Sequence, residues 1–255
     1  MRFALLGSGS AGNGLVAQAG NTKVLLDCGF SLRETTFRLA RLNLEPHHLA
    51  GILLTHEHED HARGAFRLAA DFRLPLFLTH GTFMMLGDTP TDIDIRIINS
   101  HDAFAIDDME IHPYPVPHDA REPVQYVLSD GMRRLGVLTD TGTSTPHIES
   151  MLSGCHALVL ECNHDLDLLM NNRRYPHSLK QRISGAYGHL DNATAAELLA
   201  KLDTRSLQHI IAAHLSKKNN RPELARAALR SALDCEEKWI KIASQTEGVD
   251  WLDIN

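Results

Sequence analysis

The chain has no run of roughly eighteen apolar residues, the least a membrane-spanning helix needs, so a membrane protein of that type is excluded. Paired cysteines are also missing. Cys28, Cys155, Cys162 and Cys235 are scattered, with no CxxC and no short disulfide framework, and read as reduced thiols. Positive charge is in short supply too: the formal net charge is −7 at pH 7. A general polyanion-binding surface is therefore not expected, although a local one is compatible with that balance. Met1-Arg2-Phe3-Ala4-Leu5-Leu6 runs directly into glycines, without the apolar core or cleavage site of a signal peptide, so a cytoplasmic location is expected. No repeat, low-complexity run or linker divides the 255 residues, and a single domain over 1–255 is expected.

Histidine, by contrast, is abundant. There are sixteen, and three of them fall within six residues. An excess of the commonest metal-ligating side chain directs attention to metal sites.

The apolar patterning predicts strands at Arg2 to Leu6, Leu15 to Ala19 and Thr22 to Leu26, the last two joined by the hairpin signal Gly20-Asn21. Ser31 and Glu34 predict a capping box opening a helix that runs to about Leu42. Gly51 to Leu54 reads as a buried strand, Ala62 to Phe72 as a helix and Leu76 to Thr79 as a strand. Five further strands are predicted between Ile95 and Thr139, with Asp130-Gly131 as a second hairpin turn. Helices near 145–152, 165–172, 178–186, 192–202 and 222–233 alternate with strands at 157–160, 209–213 and 238–243. Strands followed by helices, twice over, predict an α/β (α+β) protein built as a four-layer αββα sandwich.

Gly7-Ser8-Gly9-Ser10-Ala11-Gly12 matches the dinucleotide-binding G-x-G-x-x-G, with Asp27 near the ribose-binding position. That motif needs a helix to open after the third glycine, whereas Asn13-Gly14 blocks initiation and a hairpin follows. A flexible loop beside the active site, presenting Ser8, Ser10 or Asn13, is the better reading.

The strongest signal is Thr55-His56-Glu57-His58-Glu59-Asp60-His61 at the end of an apolar strand. Three imidazoles and a carboxylate in six residues can turn toward two centres. They cannot supply every ligand for two ions, so further ligands are expected at other strand ends. His118, Asp140 and His214 each follow a β segment. Taken singly, each such residue is more often structural. Together they complete a set.

With these residues the chain resembles the metallo-β-lactamase superfamily, whose ordered motifs correspond to Asp27, His56–His61, His118, Asp140 and His214. Within it, the chain is similar to the YycJ/WalJ-type bacterial proteins. The shared features are the opening Gly-Ser-Gly-Ser-x-Gly-Asn, Glu161-x-Asn163-His164-Asp165, Tyr175-Pro176, Leu179-Lys180-x-Arg182-Ile183, Gly188-His189-Leu190-x-Asn192 and Ala213-His214-Leu215-Ser216. The chain departs from that pattern at Cys162 and Asp191, where serine is expected.

The resemblance implies a dinuclear metallohydrolase. His56, His58 and His118 would hold one divalent ion, Asp60, His61 and His214 the other, and Asp140 both. Asp27 would orient a ligand by hydrogen bonding. Zinc or manganese suits this donor set, and iron is also compatible. His189 precedes His214 much as a proton-donating histidine does in related tRNA-processing nucleases; the competing reading is a helix-cap or structural histidine. The resemblance implies 5′-to-3′ exonuclease action on DNA, with Asn163, His164, Lys180, Arg182, Ser216 and Asn219 as substrate contacts. Arg173, Arg174, Lys217, Lys218 and Asn220 lie in the same region and also suit phosphate contacts, and a solvated surface accounts equally well for any one of these residues or for Asn163, His164, Lys180, Arg182 or Asn219.

The 73 residues between Asp140 and His214 are too few for a large inserted domain, so DNA would be held by the catalytic domain itself. Two alternatives remain: a small-molecule hydrolase for thioesters, lactones or β-lactams, and a metal-binding regulatory protein without turnover. The small-molecule reading predicts an apolar pocket beside the metals and no role for His189.

Overall fold

The computed structural model describes residues 1–87 and 92–255. The first sheet holds β1 (Arg2–Gly7), β2 (Gly14–Ala19), β3 (Thr22–Leu26), β4 (Gly51–Leu53), β5 (Leu76–Thr79) and β6 (Ile95–Ile98) in that spatial order. β1 to β3 pair antiparallel, and β3 to β6 run parallel. The second sheet is built the same way. β7 (Phe104–Ile106), β8 (Met109–Pro115), β9 (Val124–Ser129) and β10 (Arg134–Leu138) are antiparallel; β11 (Ala157–Glu161), β12 (His209–Ala213) and β13 (Ile240–Ile242) continue in parallel. The last strand, β14 (Val249–Asp253), returns to pair antiparallel with β1 on the edge of the first sheet. Sequence patterning did not disclose β14.

The helices are α1 (Leu32–Arg41), α2 (Glu59–Ala62), α3 (Ala65–Phe72), α4 (His80–Leu86), α5 (Pro146–Leu152), α6 (Leu166–Asn171), α7 (His177–Ile183), α8 (Asn192–Lys201) and α9 (Pro222–Leu233).

Alternation along the strands sorts their side chains into three cores. Val24, Leu26 and Leu53 of the first sheet meet Ile111, Tyr126, Leu128, Val137, Val159 and Ile211 of the second in the central layer. The neighbouring Leu25 and Ile52 point the other way, against Leu39 of α1 and Leu68 of α3. On the far side, Leu158, Leu160 and Ile210 are covered by Ile148 of α5, Leu198 of α8 and Leu229 of α9. Strands buried on both faces read as continuous apolar runs, which is why β4 and β11 show no polar alternation. The result is the four-layer helix–sheet–sheet–helix sandwich.

Three local expectations are corrected. Ser31 does cap α1, its Oγ accepting from the Glu34 amide at 3.3 Å. The reciprocal half of the capping box is missing, because the Glu34 carboxylate accepts from Arg38 Nε at 2.7 Å. The expected helix from Ala62 to Phe72 is broken into α2 and α3 at Gly64. There the backbone passes so close to the Asp27–Phe30 turn that a Cβ on Gly64 would lie 2.1 Å from the Phe30 carbonyl oxygen. The expected strand at 238–243 shortens to β13, since a 3-10 turn occupies Glu237–Trp239. α4, capped by Thr79, was not foreseen.

Candidate metal centre

The carboxyl ends of β3, β4, β10, β11 and β12 all deliver side chains to one end of the sandwich, the position at which parallel strands commonly present ligand sites. Asp27 follows β3, His56 to His61 follow β4, Asp140 follows β10, Asn163 follows β11, and His214 follows β12. Asp27, Asp140 and His214 have φ values of 61°, 53° and 54°. The left-handed region costs a side chain-bearing residue on the order of 1–2 kcal/mol. Three such residues at strand ends mark a site where packing enforces the turn.

Cross-sheet bonds pin the histidine-rich loop. Tyr126 Oη donates to the Leu54 carbonyl at 2.8 Å, and the Val124 amide to the Thr55 carbonyl at 3.0 Å. Beyond that anchor, His56 Nε2 lies 3.0 Å from His58 Nδ1, and His118 Nε2 lies 3.3 Å from the same atom. His214 Nε2 is 3.3 Å from Asp60 Oδ2 and 3.5 Å from Asp140 Oδ1; His61 Nε2 is 3.0 Å from Asp140 Oδ2. His56, His58 and His118 form one donor group, Asp60, His61 and His214 another, and Asp140 joins His56 and His61 in a third.

These residues fit divalent cations. Three ring nitrogens crowd one point, and the Asp119 carboxylate lies 3.4 Å from one of them, His118 Nε2. Asp140 Oδ2 is buried yet makes no well-aligned hydrogen bond, a costly arrangement unless a cation meets it.

The tautomers follow from what each ring meets on its other side. His61 Nδ1 donates to Asp27 Oδ2 at 2.8 Å, leaving Nε2 for the centre. Thr55 Oγ1 donates to Asp27 at 3.0 Å and in turn accepts from His56 Nδ1 at 2.9 Å. Asp27 thus orients two rings, one directly and one through Thr55. His118 Nδ1 donates to the Gly188 carbonyl at 3.0 Å.

Glu161, which sequence reasoning quoted but gave no role, joins the candidate centre. It is wholly buried. Its Oε1 lies 2.8 Å from His189 Nδ1 and 3.4 Å from His214 Nδ1, and its Oε2 accepts from the amides of Thr141 and Leu190 at 3.1 and 3.2 Å. The available signal was an acid at the end of an apolar strand, the same signal that marked Asp140. Asp140, Glu161, His189 and His214 form a fourth group of metal-binding type.

Burial alone would push these charges toward neutrality; their mutual fields decide otherwise. Burial raises Glu161, but His189 and the hydrogen bonds from His189 and His214 hold it at about 2. Burial lowers His214, yet Asp140, Asp60 and Glu161 hold it at about 10. His61 is likewise pushed down by burial and lifted well above the histidine range by Asp140, Asp27 and Asp60. His189 follows the same pattern, lifted by Glu161. Burial and the His61 charge instead keep His56 neutral.

The glycine loop opens into no helix, as expected. It is not a loose loop offered to substrate, however. Ser8 and Asn13 are buried. Ser8 Oγ accepts from the His214 amide at 2.8 Å, and Asn13 Nδ2 donates to Asp60 Oδ2 at 3.3 Å. Only Ser10 of the three named residues is exposed beside the centre.

The expected substrate contacts divide. Arg182 and His189 line a cavity of about 340 Å³ together with His58, Asp60, Asp140 and His214. Arg182 Nε donates to Asp119 Oδ2 at 2.6 Å on its wall. His164 and Asn219 are corrected: at 0% and 1% exposure neither reaches that cavity's surface. Burial lowers His164, so its ring is neutral, and neither ring nitrogen has a hydrogen-bond partner among the described residues. Asn219 accepts from Asn172 Nδ2 at 2.6 Å. Asn163 is buried as well, donating to the His214 carbonyl at 3.0 Å, and so supports the centre from below. Ser216 Oγ accepts from the Asn219 amide at 3.2 Å, and Lys180 Nζ donates to the Met170 carbonyl at 2.5 Å. Asp191 caps α8, accepting from Ala193 and Thr194 amides at 2.8 and 2.9 Å, work a serine also performs. Cys162 is buried beneath the centre.

A larger cavity of about 670 Å³ lies beside β12 and β13, lined by Leu207, His209, Leu233 and Trp239. Among the described residues no metal-binding group falls there. The candidate metal-binding groups lie at the smaller, charged cavity.

The chain belongs to the beta-lactamase superfamily, whose domain description matches residues 22–210, and its fold is that of the metallo-β-lactamase hydrolases. It is 37% identical over 253 residues to the exodeoxyribonuclease YycJ of Bacillus anthracis, covering 97% of this chain and 94% of that protein. It is 30% identical over 237 residues to the exodeoxyribonuclease WalJ of Streptococcus pneumoniae, covering 91% and 88% respectively. The crystal structure of the metallo-beta-lactamase fold protein YhfI from Bacillus subtilis superimposes with a TM-score of 0.76 at 15% identity, covering 98% of each chain. That last likeness is one of fold. Among the described residues no helix is long and apolar enough to cross a membrane.

Proposed function

We propose that the protein is a dinuclear-metal phosphodiesterase, a 5′-to-3′ exodeoxyribonuclease acting in the cytoplasm, built as one domain over residues 1–255. The observation that carries this reading is His189 on the wall of a charged cavity, backed by the buried Glu161, beside two donor groups of metal-binding type. The names of the two relatives support DNA as substrate.

In this reading His56, His58 and His118 would hold one divalent ion, Asp60, His61 and His214 a second, and Asp140 would serve both; zinc or manganese, with iron also compatible, suits the donors. When bound, such ions would supply the acidification that makes water nucleophilic at neutral pH. The remaining steps fall to side chains of this chain. Glu161 accepts a hydrogen bond from the Nδ1–H of His189, which keeps its own proton there, and so orients Nε2 to carry the proton that the departing alkoxide needs. Arg182, exposed on the cavity wall, exchanges its Asp119 partner for a phosphate oxygen. Asp27 fixes the ligand rings of His61 and His56 in place.

A small-molecule hydrolase would call for an apolar pocket. Here Asp60, Asp119, Asp140, Arg182 and His189 share the cavity, and Leu179 and Ile183 are its apolar members. The test is to offer protein loaded with manganese or zinc end-labelled DNA, bis-p-nitrophenyl phosphate, a thioester and nitrocefin. Cleavage of the first two is expected, with His189→Ala slowing DNA cleavage roughly a hundredfold or more. Cleavage of only the last two, or undiminished DNA cleavage by His189→Ala, overturns the reading.

A further inference from the structure

The glycine-rich loop between β1 and β2 reaches all three members of one donor group. Ser8 Oγ accepts from the His214 amide at 2.8 Å. Asn13 Nδ2 donates to Asp60 Oδ2 at 3.3 Å and lies 3.1 Å from His61 Nε2. Asp60, His61 and His214 are the second group. Among the described residues, the side-chain bonds of Ser8 and Asn13 reach none of His56, His58 and His118. The two side chains are also joined to each other: Ser8 Oγ donates to Asn13 Oδ1 at 3.1 Å, which takes the Gly9 amide at 2.9 Å as well. An unbroken run of hydrogen bonds therefore links the His214 backbone to the Asp60 carboxylate.

The ends of that run come from opposite sheets. Asp60 and His61 lie on α2, which follows β4 of the first sheet, whereas His214 follows β12 of the second. Apolar side chains pack the sheets together, and such contacts are non-directional. Metal donors must be placed within a few tenths of an ångström, which directional hydrogen bonds can enforce. An amide at position 13 orients the Asp60 carboxylate and leaves its charge for a cation; a lysine or arginine there would neutralise it.

The loop is stiff enough to act as a brace. Ser8 and Asn13 are buried. The Asn13 amide donates to the Asp60 carbonyl at 2.8 Å, and the Gly29 amide donates to the Asn13 carbonyl at 2.9 Å. Gln245, beyond β13, accepts from the Ala11 amide at 2.8 Å and donates to the Gly12 carbonyl at 2.6 Å. Its side chain thus holds loop backbone and not the ligands. Gly9 and Gly12 have φ values of 140° and 151°. A Cβ on Gly9 would lie 2.7 Å from Gln245 Oε1, and one on Gly12 2.7 Å from the Phe30 ring. Close packing accounts for these glycines.

We infer that Ser8 and Asn13 are positioning residues for the second ion alone, bracing Asp60 against His214 across the two sheets so that the two ions are held with separately set affinities. This rests on the two-ion arrangement proposed above and gives the glycine loop a task within it.

The test titrates manganese into wild type, Ser8→Ala, Asn13→Ala and Gln245→Ala against a competing chelator, with electron paramagnetic resonance to tell an isolated ion from a coupled pair. Wild type should take up two ions per chain. Ser8→Ala and Asn13→Ala should bind one of them roughly 10- to 100-fold more weakly and the other unchanged. At limiting manganese they should show the isolated-ion spectrum where wild type shows the pair. Gln245→Ala loosens the same loop without touching a ligand and should keep both affinities. Ser8→Ala removes one hydroxyl and carries the test if Asn13→Ala fails to fold. The affected ion is identified by adding Ser8→Ala to two backgrounds. In His118→Ala it should weaken the remaining ion by the same factor, and in His214→Ala it should change nothing. Unchanged uptake by Ser8→Ala, or equal weakening of both ions, overturns the inference. So does a loss of the same size in Gln245→Ala, which would mark general loosening of the loop. If wild type takes up fewer than two ions, the two-ion reading fails and takes this inference with it. If wild type takes up two and Ser8→Ala matches it, the inference fails alone.

Discussion

Asp27 Oδ2 lies 2.8 Å from Nδ1 of His61, thirty-four residues away in the chain. The contact exists because β3 and β4 run parallel and side by side, so that Asp27 and Thr55 both leave the sheet at the same end. From there Asp27 holds His61 directly and His56 through Thr55.

Replacing this carboxylate should therefore weaken metal binding without unfolding the protein. Asn tolerates the positive φ of residue 27 but is a poorer acceptor for the imidazole N–H. For Asp27→Asn, a chelator-competition titration should give metal affinity lower by roughly 10- to 100-fold, at near wild-type thermal stability. Unchanged affinity would remove Asp27 from the account of the centre.

Gly64→Ala tests how tightly the metal loop is sandwiched against the Asp27–Phe30 turn. The added Cβ meets the Phe30 carbonyl oxygen at 2.1 Å, a contact only backbone movement relieves. A loss of about 1–3 kcal/mol is expected, read as a lower urea midpoint, together with weaker metal retention, because α2 carries Asp60 and His61. A stabilised variant, as ordinary glycine-to-alanine changes in helices give, would contradict the close approach.

The metal-free protein should show a pH signature of Glu161. Its folded value of about 2 lies below the value of about 4.3 for a free glutamate. The stabilisation it contributes is thus complete above about 4.3 and is lost as pH falls toward 2. After chelation, Glu161→Gln should melt below wild type at pH 6, and the gap should narrow progressively below about pH 4.3. A gap that is constant through that window would mean the carboxylate is not ionised in the folded protein.

Thiol labelling should separate the four cysteines. Burial pushes Cys28 to about 12 and Cys155 to about 11, and drives Cys162 up as well. Cys235 is also raised by partial burial, but it is the one half-exposed thiol of the four. Because the thiolate is the reactive form, iodoacetamide on the native protein should modify Cys235 first and faster with rising pH. The other three should become reactive only on unfolding. Mass spectrometry of tryptic peptides decides the order.

Much of the centre was legible in the sequence because its donors follow apolar strands. His56, His58, Asp60, His61, His118, Asp140 and His214 were found by that rule, and all converge. Glu161 obeys the same rule and was passed over, since nothing local reveals that it faces His189 across twenty-eight residues. His164 and Asn219 were assigned to substrate on resemblance and are buried, because motif membership does not distinguish a wall from its support. The break at Gly64 was hidden for a related reason: its cause is the Phe30 carbonyl, a neighbour only in three dimensions.

Apolar periodicity, turn dipeptides and caps are short-range properties, and from them the order of strands and helices, the layering and the chemistry of the donors could be read directly. Which side chains face one another, which carboxylate holds which imidazole, and where a charged group stays charged under burial depend on distances between strand ends that no local pattern encodes. Electrostatic and hydrogen-bond energies change over a few ångströms, and only the packed sandwich sets those ångströms.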